Sequence, residues 1–163
     1  MATLHYRIKT AVVEAIKGLE LGDGTALEIN DNVQSQIEPD TSNLKYPCVV
    51  VAHTPGSERD NNGTTQQKWL IYPVLVLILD AETARFHANE DTYLTWRKQI
   101  WDLFNDRRAP FRRPAAAAAI EVPEVNWCKA VSGTTIDPKW TSLQSIASRI
   151  ALDVYTIEDR ARS

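Results

Sequence analysis

Few residues of this chain stand at spacings that do chemistry. The three histidines, His5, His53 and His87, lie far apart and no two share a helical turn, so a histidine-built metal site is not expected. Cys48 and Cys128 have no second cysteine or histidine at zinc-ligand spacing and sit among apolar neighbours, which predicts two buried, reduced thiols. Asp80-Ala81-Glu82 offers two carboxylates at the end of an apolar run, where a cation could sit. Acids also collect there simply because the chain is leaving the core, and that plainer reading is preferred. There is no glycine-rich phosphate loop, HExxH pair, GxSxG elbow or CxxC. The expectation is therefore a protein that is not an enzyme and needs no cofactor or metal.

Two polar clusters remain as candidate contact residues. The first is Arg107, Arg108, Arg112 and Arg113, four arginines around Pro110 and Phe111. The guanidinium fork suits phosphate and suits the carboxylates of a neighbouring protein equally well. A net charge of -3 weighs against a chain whose main business is coating nucleic acid. A protein-facing role is favoured, with a solvated helix end as the plain alternative. The second cluster is Arg59, Asp60 and Asn61, inside residues 55–65, a stretch with almost nothing to bury and an Asn62-Gly63 turn signal. It reads as an exposed hairpin loop or arm. Asn62-Gly63-Thr64 also matches a glycosylation sequon, but with no export signal in view it is read as the tight turn.

The elements that must position these groups follow from periodicity. Across residues 3–19, Leu4, Ile8, Val12, Ala15, Ile16 and Leu19 recur at helical steps; Lys9, Glu14 and Lys17 among them suit a folded helix and not an export signal. Gly18, Gly22 and Gly24 should end it. Residues 27–38 predict one or two short strands. Tyr46-Pro47 then opens a β-branched run, Cys48 to Val51, that predicts a strand over 47–54. A long strand spans 66–80. A helix over 89–106 is marked by Tyr93, Trp96, Ile100, Trp101, Leu103 and Phe104 on one face, acids at its start and Arg107 and Arg108 at its end. Residues 109–119, Pro- and Ala-rich, read as a linker or one short helix. Two closing strands, 120–131 and 145–158, form a hairpin across Gly133 and Asp137-Pro138.

These elements predict one α+β domain over residues 1–163: a mainly antiparallel or mixed sheet with two helices packed on one face. The run from Trp69 to Leu79 is apolar at every position, so both faces of its strand should be covered. Two helices cover one face. The other calls for a further layer, and another subunit is the favoured supplier, against a sandwich closed by the chain's own segments. Pro73, which cannot donate to a ladder, suggests an edge or bulge there. The run is also far too short for a membrane-spanning helix.

Taken in order, the first helix, the Tyr46-Pro47-Cys48-Val49-Val50-Val51 strand, the polar loop and the apolar strand ending in Asp80-Ala81 form a recognisable series. With the Trp-bearing helix from Tyr93 to Phe104 and the closing strand Arg149-Ile150-Ala151-Leu152-Asp153-Val154, it resembles the tail terminator and tail completion proteins of tailed bacteriophages. The likeness spans residues 4–158. It implies a small structural subunit of the virion, assembled in the host cytoplasm, that forms a ring, commonly sixfold. Such a ring caps the tail tube and meets the head connector, with DNA at most passing through it, and brings no catalytic residues. Another phage structural subunit, of the tail tube or head completion kind, and a small enzyme or ligand-binding domain are the alternatives.

Overall fold

The computed structural model describes residues 3–21, 32–36, 46–53, 59–60, 64, 66–81, 83–105, 111, 122–134 and 146–159. Helix α1, Leu4–Lys17, starts where Thr3 accepts a hydrogen bond from the Tyr6 amide, a side-chain cap for one of the free donors of the first turn. It ends at Gly18, whose φ of -65° is right-handed; the positive φ falls two residues later, at Glu20. The left-handed closure expected of glycine is thus made by a glutamate, and Gly22 and Gly24 lie outside the described residues.

Strand β1, Val33–Ser35, runs parallel to β2, Cys48–His53. The short β3, Arg59–Asp60, and the long β4, Gln67–Asp80, follow. Helix α2, Thr83–Ala88, was not foreseen from the sequence and leads through Asn89 into α3, Glu90–Phe104. Strands β5, Val125–Thr134, and β6, Ile146–Asp159, close the chain. The sheet runs β1-β2-β4-β6-β5, mixed because β1 and β2 are parallel while the other pairs among the described residues are antiparallel, with β3 beside β4. The architecture is the expected small α+β domain, and α1 and α3 lie on one face of the sheet.

That face holds the main core. Val49 and Val51 of β2, Val74, Val76 and Ile78 of β4, and Ile150, Leu152 and Val154 of β6 point at Ile8, Val12 and Ile16 of α1 and at Tyr93, Trp96, Ile100 and Phe104 of α3. The alternation of β4 sends Leu75, Leu77 and Leu79 the other way, where they join Cys48, Val50 and Ala52 in a second apolar cluster. Cys48, Val50, Leu77 and Leu79 are wholly buried within the single chain. This part of the second face is therefore buried without another subunit, as in the alternative in which the chain's own segments cover it. Trp69, Leu70 and Ile71, at the other end of the same run, are only half-buried. Hydropathy along one strand cannot say which of its segments a neighbouring layer reaches.

Three further expectations change. Arg59 and Asp60 are tied to the sheet as β3, in register with Ile71 and Leu70, so part of the projecting loop is a strand. Main-chain pairing needs no apolar side chain, which is why composition missed it. Gly133 lies within β5 opposite Ile150 and not in the connection to β6. Phe111 is fully buried and packs on Phe104 with ring centroids 6.1 Å apart, so the arginine-flanked segment does reach the core. Pro73 sits between the β4 residues paired with β2 and those paired with β3, a stretch where one flank has no strand partner among the described residues. Cys48 and Cys128 are buried and free, as expected.

Candidate functional site

Of the candidate contact residues, Arg59 and Asp60 are placed by backbone alone, at the end of the sheet near Leu70 and Ile71. Asn61, Arg107, Arg108, Arg112 and Arg113 lie outside the described residues, as do most of 55–65 and of 109–119. Four other arrangements carry polar or exposed apolar chemistry.

Asp80 ends β4 fully buried, and its carboxylate receives both forks of Arg85 from α2, at 2.8 Å from Nε and 2.6 Å from Nη2. The Tyr93 hydroxyl donates to the same carboxylate from α3. Burial, and then Asp80, hold the Tyr93 hydroxyl protonated far above its ordinary range. Burial and the same carboxylate push the Cys48 thiol up to about 12, and burial raises that of Cys128 also, so neither is a ready nucleophile. The carboxylate anticipated as a possible cation site is thus occupied by a guanidinium that pins α2 and α3 to the strand end.

His5 of α1 and His53 of β2, remote in sequence, meet with ring centroids 3.9 Å apart, and Tyr72 lies 5.1 Å from His5. Tyr72 donates to Glu158 at 3.2 Å. Spacing along the chain carried no signal for this meeting, which depends on how α1 crosses the sheet. No group of three or more His, Cys, Asp or Glu side chains is gathered among the described residues. The pair packs α1 against the sheet corner.

The third arrangement is an aromatic apron. On the second face of the sheet, Trp69 and Ile71 of β4 stand in register with Ile157 and Tyr155 of β6, beside Pro73. Trp127 of β5 stacks on Tyr155, with ring centroids 4.6 Å apart and planes 21° from parallel. All six are half-buried, whereas the same face further along, at Leu77 and Leu79, is closed. The signal for this patch was present in the sequence as the odd positions of the apolar run, read there without their depth.

The fourth lies at the edge strand. Arg97 of α3 reaches over β5, donating from Nη2 to the Arg149 carbonyl at 3.3 Å, and its guanidinium carbon lies 5.5 Å from the Trp101 ring centroid. A Cβ at Gly133 would lie 2.1 Å from that guanidinium and 2.8 Å from the same carbonyl oxygen, so glycine is what lets the side chain cross the strand. Burial lowers the Arg97 pKa. A glycine inside a strand pattern is the sequence signal that marks such a close approach, and reading Gly133 as a turn hid it. Beside Arg97 a hollow of about 470 Å³ opens among Leu94, Lys98, Trp101, Asp102 and Gly133.

Compared with known proteins, the chain matches no family model and no curated protein.

Proposed function

We propose that this chain is a structural subunit of a tailed-phage virion, a ring-forming tail terminator or neck adaptor that joins the tail tube to the head connector, and not an enzyme. The observation that carries the reading is the aromatic apron. Trp69, Ile71, Tyr155, Ile157 and Trp127 form an apolar surface that is only partly buried, on a continuous ribbon, since β4 and β6 pair without interruption over all fourteen positions of each. Surfaces of this composition, aromatic at the centre and carried on a fixed support, are those proteins use to bind proteins. The order of elements behind the likeness to tail terminators supports the reading: helix, strand, long strand, Trp-bearing helix and closing strand recur, with β3 added in the polar loop and α2 before α3.

In this reading the ring is built through the apron and the strand ends beside it. Arg59, Asp60, Asn61, Arg107, Arg108, Arg112 and Arg113 serve as contacts to neighbouring subunits, the tail tube or the connector. The test is to replace Trp69 and Ile71 by lysine and, separately, Arg112 and Arg113 by glutamate. Far-ultraviolet circular dichroism then checks folding, and sedimentation velocity reads assembly. Lysine on the apron is expected to abolish the ring while the subunit remains folded, and glutamate at the arginines to weaken assembly by like-charge repulsion. Assembly unchanged in both variants would remove these surfaces from the interface.

A further inference from the structure

We infer that α3 carries a self-complementary surface on which a second copy of this chain docks antiparallel about a two-fold axis. Arg97 and Lys98 lie three and four residues after Leu94, itself four after Glu90, and Trp101 four after Arg97, so they share one flank of the helix, with Asp91 at its margin. That flank borders the core formed by Tyr93, Trp96, Ile100 and Phe104: Trp101 packs on the core's margin and Arg97 is partly buried, whereas Glu90, Asp91 and Lys98 are exposed. Its charges are sorted: the acids Glu90 and Asp91 come first, the bases Arg97 and Lys98 about two turns later, and Leu94, 37% exposed, stands between.

Acids in a first turn suit the positive helix start and alone would mean nothing more. The bases are what ask for a partner. Bases suit a helix's last turn, yet these stand in the middle of α3, and its last turn holds none. Arg97 has no carboxylate partner among the described residues; its Nη2 donates to a main-chain carbonyl and its Nε is buried without an acceptor. Lys98 is paired with Asp102 at 2.7 Å, but with side chains 75% and 58% exposed that pair contributes little and yields readily to another carboxylate.

When a second α3 is laid antiparallel with Leu94 against Leu94 on the axis, Glu90 of each copy faces Arg97 of the other and Asp91 faces Lys98. All four charge pairs are then opposite in sign, and the hollow of about 470 Å³ beside Arg97 takes the incoming acidic turn. A parallel arrangement would set like charges together. Such a contact closes on itself, so it is separate from the head-to-tail contacts a ring requires and holds whether or not a ring forms. One helical face is small for a permanent interface, which makes this a weak, salt-sensitive dimer.

The test is a charge exchange on the full chain, followed by sedimentation equilibrium. An acidic variant carries Arg97→Glu and Lys98→Glu; a basic variant carries Glu90→Lys and Asp91→Lys. Each alone should self-associate at least about tenfold more weakly than wild type, because every cross-axis pair is then of like sign. Mixed in equal amounts, the two should form a heterodimer, since all four pairs become opposite again, and added salt should dissolve it. The basic variant alters only exposed positions, so its fold, checked by circular dichroism, is independent of the Arg97 contact to Arg149. A mixture that behaves as the sum of its two components, or wild-type self-association unmoved by either pair of substitutions, would overturn the inference.

Discussion

The Asp80 carboxylate is held from two helices at once. It is fully buried, held by both forks of Arg85 and by the Tyr93 hydroxyl, and so joins the end of β4 to α2 and α3. Removing one partner of a buried pair leaves the other charge uncompensated, so Asp80→Asn should cost about 3–5 kcal/mol in urea denaturation. A loss below about 1 kcal/mol would mean that Arg85 is solvated well enough to stand alone. Glu124 gives a pH test. Arg7 of α1 forks onto it at 3.2 and 2.6 Å, and these hydrogen bonds hold its carboxyl below the usual range. A depressed carboxyl contributes stability above its unfolded value, near pH 4.3, and loses that contribution as pH falls through the folded value. Both side chains are more than a quarter exposed, so the term is at most about 1 kcal/mol. Wild type should therefore lose stability more steeply than Glu124→Gln below about pH 4, with the two urea curves parallel above it. The sequence named Asp80 as notable and could not pair it, since Arg85 becomes its partner only once α2 forms. Arg7 and Glu124, remote along the chain, carried no signal at all.

At the scale of elements, amphipathic periodicity located α1, α3 and the long strands, because a one-sided core imposes a repeat on the chain that must cover it. It failed where structure rests on main-chain pairing or on a single anchor. β3 pairs with β4 through its main chain, α2 is too short to show a repeat, and Phe111 is one aromatic among arginines. Trp96 is 3% exposed against the sheet, and Trp96→Ala should cost about 3–5 kcal/mol by thermal or chemical denaturation. Phe111→Ala should be of the same order, because the Phe111 side chain is wholly buried against Phe104. A Phe111 variant melting within a degree of wild type would detach the arginine segment from the core and return it to the role of a free projection. Gly133 belongs to this scale too, since it is the position that lets a helix side chain lie across an edge strand.

Across the whole molecule the sheet has one face closed by α1 and α3 and a second face that changes character along its length. It is sealed within the chain at Cys48, Val50, Leu77 and Leu79, and half-open at Trp69, Ile71, Trp127, Tyr155 and Ile157. The fold class was legible from the sequence because the order of apolar periods dictates layers. The apron was not, because one strand's hydropathy reports that both faces are apolar without saying which half is covered. We propose that the chain assembles through this partly buried half. The direct test is the mass of the purified chain by sedimentation and native mass spectrometry, alone and with isolated tail tubes. A closed ring of identical subunits is expected, sixfold in the presence of tubes and bound at their ends. Protein that stays monomeric at every concentration, with tubes present and unbound, would contradict it.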